Sequence, residues 1–519
     1  MQLSPAFITS METFFRQANY SPADLQAFLS SFDAAPQSGL RVNRLKTGAL
    51  AARARIKLED CWRQEGLDPD GFKLRPVPWC SDGCFYQPGT RPSLTLAHKL
   101  GLFYIQEPSA MLPASLLQVQ PGQLILDLCA APGGKSLRLA ADLRHRGCLV
   151  ANEINDRRAR VLLRNLEQQG VRNCIVSNAS PEQLAGLWPE RFDKVLVDAP
   201  CSGEGMFRRD HKAAAAWEAY GSASVKPLQR SILDCAVRLL KPGGELLYST
   251  CTFNPDENER QIAALLLRHP ELRLLPAEKR LPETCCLSPG ARLPDLEADT
   301  SHCVRIWPGA SGGDGHFAAL LEKAPRQAYS ALQTSAGAAL TKPPLSLSLC
   351  QAVLAVAGPL LKPQAQRLLQ SQLSKNGRLT GTHLHLWPPV LPLPDALHLL
   401  KTGLYLGDIR LLGEKSRSQD RAKHRNQTAV YSFKPSHSLL MALPRTYFAQ
   451  ALDWPADDPR IVTVLGGGSV PLSEAERFKL RQGVQTAYIP VFAAGYPLTW
   501  LQPGRGAYAK NLFPPGWRG

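Results

Sequence analysis

Two cysteines carry the strongest chemical signal in this sequence. Cys201 follows the run KVLV-Asp198-Ala-Pro, and Cys251 follows the run ELLY-Ser249-Thr. A free cysteine is ordinarily a small buried hydrophobe, which is the reading given to Cys148 and Cys235. A thiol placed just after a strand and before a turn is a different case. In an open α/β sheet, ligands sit outside the carboxyl ends of the strands. If the two strands are neighbours, both sulfurs face one crevice. A thiolate there is a nucleophile able to form a covalent intermediate, provided its pKa is locally lowered. Asp198 is placed to hydrogen-bond such an adduct. A metal reading starts from Cys80 and Cys84, with Cys285 and Cys286 further on. The C-x3-C spacing is permissible for zinc, but no matching His/Cys pair completes four ligands, so no metal is expected.

A second cluster precedes these. Cys129, Ala130, Ala131, Pro132, Gly133, Gly134 and Lys135 lie between the strand-like LILD and a helical stretch. A glycine-rich turn at that point lets a ligand approach the backbone closely. Two nucleotide alternatives fail on residue identity. A phosphate loop of the GxxxxGK[ST] type needs Gly at 129, where Cys129 stands, and AAPGGK does not supply GxGxxG. About 20 residues on, the next strand ends in Glu153, placed to take the ribose hydroxyls of a nucleoside. Its carboxylate also suits a cationic ligand.

These residues need elements to position them. From Ile105 onward apolar strands alternate with helical stretches: LILDLCA, a helix near 135–143, CLVANE, a helix at 156–169, CIVSN, KVLVDAP, a helix at 224–240, ELLYSTC and a helix at 256–268. That alternation predicts an α/β fold, an open parallel sheet with helices on both faces. VRIWP and HFAALLEK predict two closing strands. Residues 1–100 read as a separate N-terminal unit, opening with short helices; Ser21 caps one of them with Pro22 in its first turn. Residues 324–345 are rich in Ala, Ser and Pro and predict a linker. Residues 346–450 and 451–519, with short strands and many Pro and Gly, predict two further units.

The 519 residues carry 60 Lys and Arg against 44 Asp and Glu, a net charge of +16. A balance that basic is the footprint of a polyanion binder. The 13 cysteines are odd in number and scattered, no secretory leader pattern opens the sequence, and no apolar run approaches the ~20 residues needed to span a bilayer. A reducing, cytoplasmic location away from membranes is expected.

CAAPGGK at 129–135, DAPCSGEGMFRRD at 198–210 and YSTCTFNPDENE at 248–259 resemble three motifs of the Nol1/Nop2/Sun RNA cytosine-5 methyltransferases. LRVNRLK at 40–46, YIQEPSAMLPA at 104–114, VKPLQRSILDCAVRLLKPGG at 225–244 and RIWPGASGGDGHFAALLEK at 305–323 resemble the same family, so the likeness runs from about residue 38 to 323. The resemblance implies a Rossmann-like class I methyltransferase domain at 101–323 that uses S-adenosyl-L-methionine. It implies a small N-terminal domain and a C-terminal region ending in a PUA-like RNA-binding module at 451–519. It makes Cys251 the nucleophile and Cys201 the residue that releases the product. Residues 129–135, Glu153 and Asp198 become donor-site positions. Where the family often has an Asp that contacts adenine, this sequence offers Asn178 or Ser180.

The implied chemistry explains the thiols. Carbon 5 of cytosine is a poor nucleophile, and addition of a thiolate to carbon 6 makes it enamine-like. An amino-methyltransferase would carry a D/N-PP-Y/F motif where DAPC stands. The implied substrate is RNA, 16S rRNA above all, within the 30S subunit or free of it, and the implied state is a monomer. Two rival readings are the same chemistry on tRNA and a non-catalytic ribosome-assembly protein. Candidate RNA contacts are Arg41, Arg44, Arg208, Arg209, Lys212, Lys415 to Arg425, Lys510 and Arg518, with Tyr508 and Phe513 available for stacking.

Overall fold

LILD, four buried residues ending at a glycine turn, is the strand around which the largest sheet is built. The computed structural model describes residues 3–48, 51–221, 223–285, 287–309, 312–325, 344–388, 391–393, 397–412, 430–482, 487–504 and 506–518. The N-terminal strands are β1 (Ser38–Val42), β2 (Arg75–Val77), β3 (Cys80–Tyr86) and β4 (Phe103–Ile105). They form a four-stranded sheet in the order β2-β3-β1-β4, so the N-terminal unit takes in residues just past 100.

The central strands are β5 (Leu124–Asp127), β6 (Cys148–Asn152), β7 (Cys174–Ser177), β8 (Phe192–Asp198), β9 (Leu240–Thr250), β10 (Leu272–Leu275), β11 (Ser288–Pro289), β12 (Val304–Ile306) and β13 (His316–Lys323). Next come β14 (Gly377–Thr380), β15 (His383–Leu386), β16 (Leu399–Thr402), β17 (Leu404–Leu412) and β18 (Val430–Pro435). The last five are β19 (Leu452–Trp454), β20 (Val470–Pro471), β21 (Ile489–Ala493), β22 (Tyr496–Pro503) and β23 (Tyr508–Asn511).

Ten strands make the central sheet, in the order β11-β12-β13-β9-β8-β5-β6-β7-β16, with β10 paired to β13. Strands β9, β8, β5, β6 and β7 run parallel. The chain starts at β5, steps outward to β7, then returns to β8 on the other side. That reversal creates a crevice at the carboxyl ends of β5 and β8. Helices Gly134–Leu143, Asp156–Gln168, Lys226–Leu239 and Glu259–Arg268 form where the helical stretches were expected. The two closing strands are β12 and β13, antiparallel as the sheet's outer side. Leu, Val and Ile from both faces of these strands fill two separate cores.

One strand departs from the sequence reading. β16 comes from the stretch read as a separate unit at 346–450, yet it pairs antiparallel with β7. It covers an edge whose N–H and C=O groups would otherwise lack partners. The remaining C-terminal strands form a four-stranded sheet, β14-β15-β17-β18, and a five-stranded sheet, β19-β21-β22-β23-β20. Of the expected linker, residues 326–343 lie outside the described residues, as does the basic run Lys415 to Arg425. Among the described residues, no helix is long and apolar enough to cross a membrane.

The N-terminal helices Pro5–Gln17 and Pro22–Ser30 bury Phe7, Phe14, Phe15 and Phe28. These rings join Phe32, Phe207, Phe253 and Trp307 in one aromatic core. Phe253 stacks on Trp307 with ring centroids 5.7 Å apart, and Phe28 meets Phe253 edge-on at 5.0 Å. Phe253 lies two residues after Cys251, so the N-terminal helices brace that cysteine's loop. Phe28→Ala is expected to cost about 3 kcal/mol of stability. Urea denaturation followed by tryptophan fluorescence measures it, and an unchanged midpoint would refute the bracing role.

Candidate active site

Strands β8 and β9 are adjacent and parallel, with Asp198 paired to Ser249. Their carboxyl ends therefore release the two cysteine loops side by side. The Sγ atoms of Cys201 and Cys251 lie 3.4 Å apart. The loops are tied together beyond the sulfurs. The hydroxyls of Ser202 and Thr252 are 2.8 Å apart, and the Gly205 N–H donates to the Cys251 carbonyl at 2.8 Å. A Cβ on Gly205 would meet that carbonyl oxygen at 2.8 Å, so only glycine permits the approach.

Two buried glutamates fix this pair of loops. Glu257 accepts from the Ser202 N–H at 2.9 Å and from Gln229 Nε2 at 2.9 Å. Glu204 accepts from the Phe253 N–H at 2.8 Å and from Trp217 Nε1 at 2.9 Å. Each glutamate follows one cysteine in sequence and holds the backbone beside the other. Burial pushes the Glu204 carboxyl up to about 7, partly offset by a hydrogen bond from Thr252. Burial also raises Glu257. Sequence reasoning passed over both; the signal was an acidic residue inside CSGEGMF and another inside NPDENE.

Asp198 sits at the end of β8, where three groups meet its carboxylate. Lys135 Nζ donates to Oδ2 at 2.8 Å and Ser249 Oγ to Oδ1 at 2.8 Å, and His316 Nε2 lies 3.7 Å from Oδ1. Burial works to raise its pKa, but the Lys135 ammonium holds it well below the usual carboxylate range. Lys135 in turn stays charged: burial works to lower it, and Asp198 raises it more. The thiols differ. The hydrogen bond to Cys251 comes first among the causes that push Cys201 up, followed by burial. Burial also pushes up Cys129, with the charges of Asp127 and Asp198 adding to it. Its thiol is a wall of the turn rather than a nucleophile.

The glycine turn starts a helix at Gly134, with Gly133 at φ +111°. Arg158 Nη2 donates to the Ala131 carbonyl and Asn165 Nδ2 to the Pro132 carbonyl, both at 2.8 Å. Those bonds shape the loop from Cys129 to Lys135 from outside. Asp127, just before the loop, accepts from Ser136 Oγ at 2.6 Å, while its buried Oδ1 has no partner among the described residues. Glu153 is 3% exposed, accepts from the Asn155 N–H at 2.9 Å and lies 3.5 Å from Arg158 Nη2.

Asn178 and Ser180 are held by the protein itself. Ser180 Oγ caps the helix Pro181–Leu187 by accepting from the Gln183 N–H. Asn178 Nδ2 donates to the carbonyls of Glu153 and Ile154 at 2.8 Å, and its Oδ1 is 3.1 Å from His398 Nδ1. Asn178 thus steadies the Glu153 turn, with help from the residue just before β16.

Several basic candidates turn inward. Arg41 is 4% exposed and donates to the Gly134 carbonyl at 2.8 Å. Arg44 pairs with Asp82 and Asp142. Arg208 pairs with Asp314 at 2.5 Å, and Arg209 reaches the same carboxylate while remaining exposed. Phe513 is 4% exposed and belongs to a core, whereas Tyr508 is 62% exposed. Lys212, Lys510 and Arg518 are exposed.

A Rossmann-like sheet with a glycine turn after its first strand and ligand groups at the switch point defines the class I methyltransferase fold. Family comparison is more specific. Residues 114–322 match the family described as 16S rRNA methyltransferase RsmB/F, and residues 3–108 match the N-terminal domain of 16S rRNA methyltransferase RsmF. Over residues 3–322 the chain belongs to this RsmB/F family. A ribosomal RNA small subunit methyltransferase F from Citrobacter koseri is 34% identical over 328 residues, covering 61% of this chain and 63% of that protein. One of the same description from Erwinia tasmaniensis is 36% identical, covering 51% and 54%. The chain thus spans less than two thirds of the length of the curated relatives it matches. Among solved structures, that of PH0851 superposes with a TM-score of 0.50 at 26% identity, covering 60% of this chain and 68% of that one.

The Glu204 carboxyl sets a pH dependence. An unfolded glutamate loses its proton near 4.5, but folded Glu204 keeps it to about 7. The folded state binds more protons in that window, so this group makes stability fall as pH rises from 4.5 to 7. Glu204→Gln is expected to flatten that decline. Thermal unfolding of both proteins at pH 5, 6, 7 and 8 (roughly spanning the titration) measures it. Parallel curves would show that Glu204 titrates normally.

Proposed function

We propose that this protein is an S-adenosylmethionine-dependent RNA methyltransferase that forms 5-methylcytosine in 16S rRNA through a covalent Cys251 adduct. The observation that carries the reading is the pair of thiols 3.4 Å apart beside the Lys135–Asp198 ion pair. The names of the relatives support the RNA class, 16S rRNA.

The residues around the glycine turn fit the donor. Asp127 Oδ1 is a buried acceptor without a partner among the described residues, suited to the donor's ammonium group. Glu153, at the end of β6, suits ribose hydroxyls. When bound, S-adenosylmethionine supplies an electrophilic methyl group.

The chain's own residues do the rest. Cys201, with its pKa raised, keeps its proton and stands with its sulfur 3.4 Å from that of Cys251. The Cys251 sulfur bonds to carbon 6 of the ring, and carbon 5 becomes able to take the methyl group. Asp198, held ionised, accepts from the exocyclic amine, and Lys135 donates to a ring acceptor. Once Cys251 is bonded to carbon, its hydrogen bond with Cys201, the largest cause of the raised Cys201 pKa, is lost. Cys201 gives its proton to solvent, then takes the proton from carbon 5 as the bond between carbon 6 and the Cys251 sulfur breaks and Cys251 leaves as thiolate. A cytosine must be turned out of its stack to reach this site. The exposed Lys510 and Tyr508 on the five-stranded C-terminal sheet suit RNA, in keeping with a PUA-like module there.

Incubation with labelled donor and naked 16S rRNA, 30S particles or tRNA, followed by bisulfite mapping, tests the substrate. Label in tRNA alone would redirect the assignment. Cys251→Ala should abolish transfer. Cys201→Ala should accumulate a denaturation-resistant protein–RNA adduct, seen as a shifted gel band; release of free methylated RNA at the wild-type rate would show that Cys201 is not the release residue.

A further inference from the structure

His316 opens β13, the strand antiparallel to β9. The register pairs Phe317 with Thr250, so His316 stands at the end of β9 that leads into Cys251. Along β13, Phe317, Ala319 and Leu321 enter one core, and Ala318 and Leu320 enter the other. Alternation places His316 on the side of Ala318, the face covered by the helix that carries Lys135. The ring is 3% exposed, and among the described residues neither Nδ1 nor Nε2 has a hydrogen-bond partner. Asp198 Oδ1, at 3.7 Å from Nε2, is beyond hydrogen-bonding reach. A buried polar group without a partner is rare and costly, and in a pocket it marks where a ligand atom belongs.

We propose that His316 is a base-recognition residue whose imidazole hydrogen-bonds the Watson–Crick edge of the target cytosine beside Asp198. This inference rests on the cytosine reading above and assigns a further residue to it. Burial outweighs the pull of the facing Asp198 carboxylate and favours the neutral ring, which offers one donor and one acceptor. Asp198 only accepts, and Lys135 only donates. The cytosine edge presents an amine donor and two acceptors, N3 and O2. The amine meets Asp198, and the two acceptors meet Lys135 and the imidazole N–H. Uracil reverses two of those features: it sets a carbonyl against the carboxylate and an N–H against a donor. A site of paired buried polar groups rejects such a mismatch strongly.

The test compares wild type, His316→Phe and His316→Gln on 16S rRNA, with donor binding followed by calorimetry. Phenylalanine keeps a buried ring and removes both nitrogens; glutamine restores a hydrogen-bonding group. The expected result is a kcat reduced about 100-fold in the Phe variant, with KM for RNA and donor affinity within about twofold of wild type, since phosphate contacts dominate RNA affinity. The Gln variant should regain about tenfold of that loss. Wild-type kcat in His316→Phe would overturn the proposal, as would a Gln variant no better than Phe, or equal loss of donor binding. Absence of 5-methylcytosine with the wild-type protein would instead overturn the functional reading and this inference together.

Discussion

The parallel ladder between β8 and β9 brings to one point two loops that are fifty residues apart in the chain. Each strand contributes an apolar run that is buried on both faces, so the ladder is held by core packing rather than by polar contacts at its end. With Asp198 opposite Ser249, every residue beyond the strand ends is placed by counting. A slip of one residue would turn Asp198 into the core and carry the thiols out of register. The bonds of Glu204 and Glu257 then lock the two loops crosswise, each carboxyl beside one cysteine and gripping the other loop.

Electrostatic balance follows from the same enclosure. Lys135 is the strongest influence holding Asp198 ionised, and Asp198 the strongest holding Lys135 charged. A lone charge at that depth would be neutralised. Among the described residues Glu204 has no such cationic partner, and burial leaves it half protonated near neutral pH. Two carboxyls within one site thus reach opposite states. The cationic partner present at one and missing at the other decides the outcome.

Much of this was legible in the residues. The alternation of apolar runs and helical stretches marked the five parallel strands, and the position of each cysteine after its run marked the site. Local pattern was enough there because strand, turn and helix are each encoded within a few residues. What escaped was long-range. His316 owes its place to strand pairing that no local pattern shows, and the grip of Glu257 on the other loop appears only once the two loops are side by side. Arg41, Arg44 and Arg208 read as surface cations because charge in a sequence says nothing about its partner; Asp82 and Asp314 draw them inward. β16 escaped for the same reason: four residues, LLKT, cannot announce that they pair with a strand more than two hundred positions earlier.

That borrowed strand has a bearing on how the protein is made. Until residue 402 has been synthesised, the flank of the sheet at β7 stays open, and Asn178 lacks the His398 contact that helps hold the Glu153 turn. A ribosome-bound chain that has completed β13 therefore carries all its reactive side chains but an unfinished sheet. Open strand edges are where nascent chains associate wrongly. The C-terminal part thus supplies the last strand of that sheet, and with it the contact that steadies the Glu153 turn.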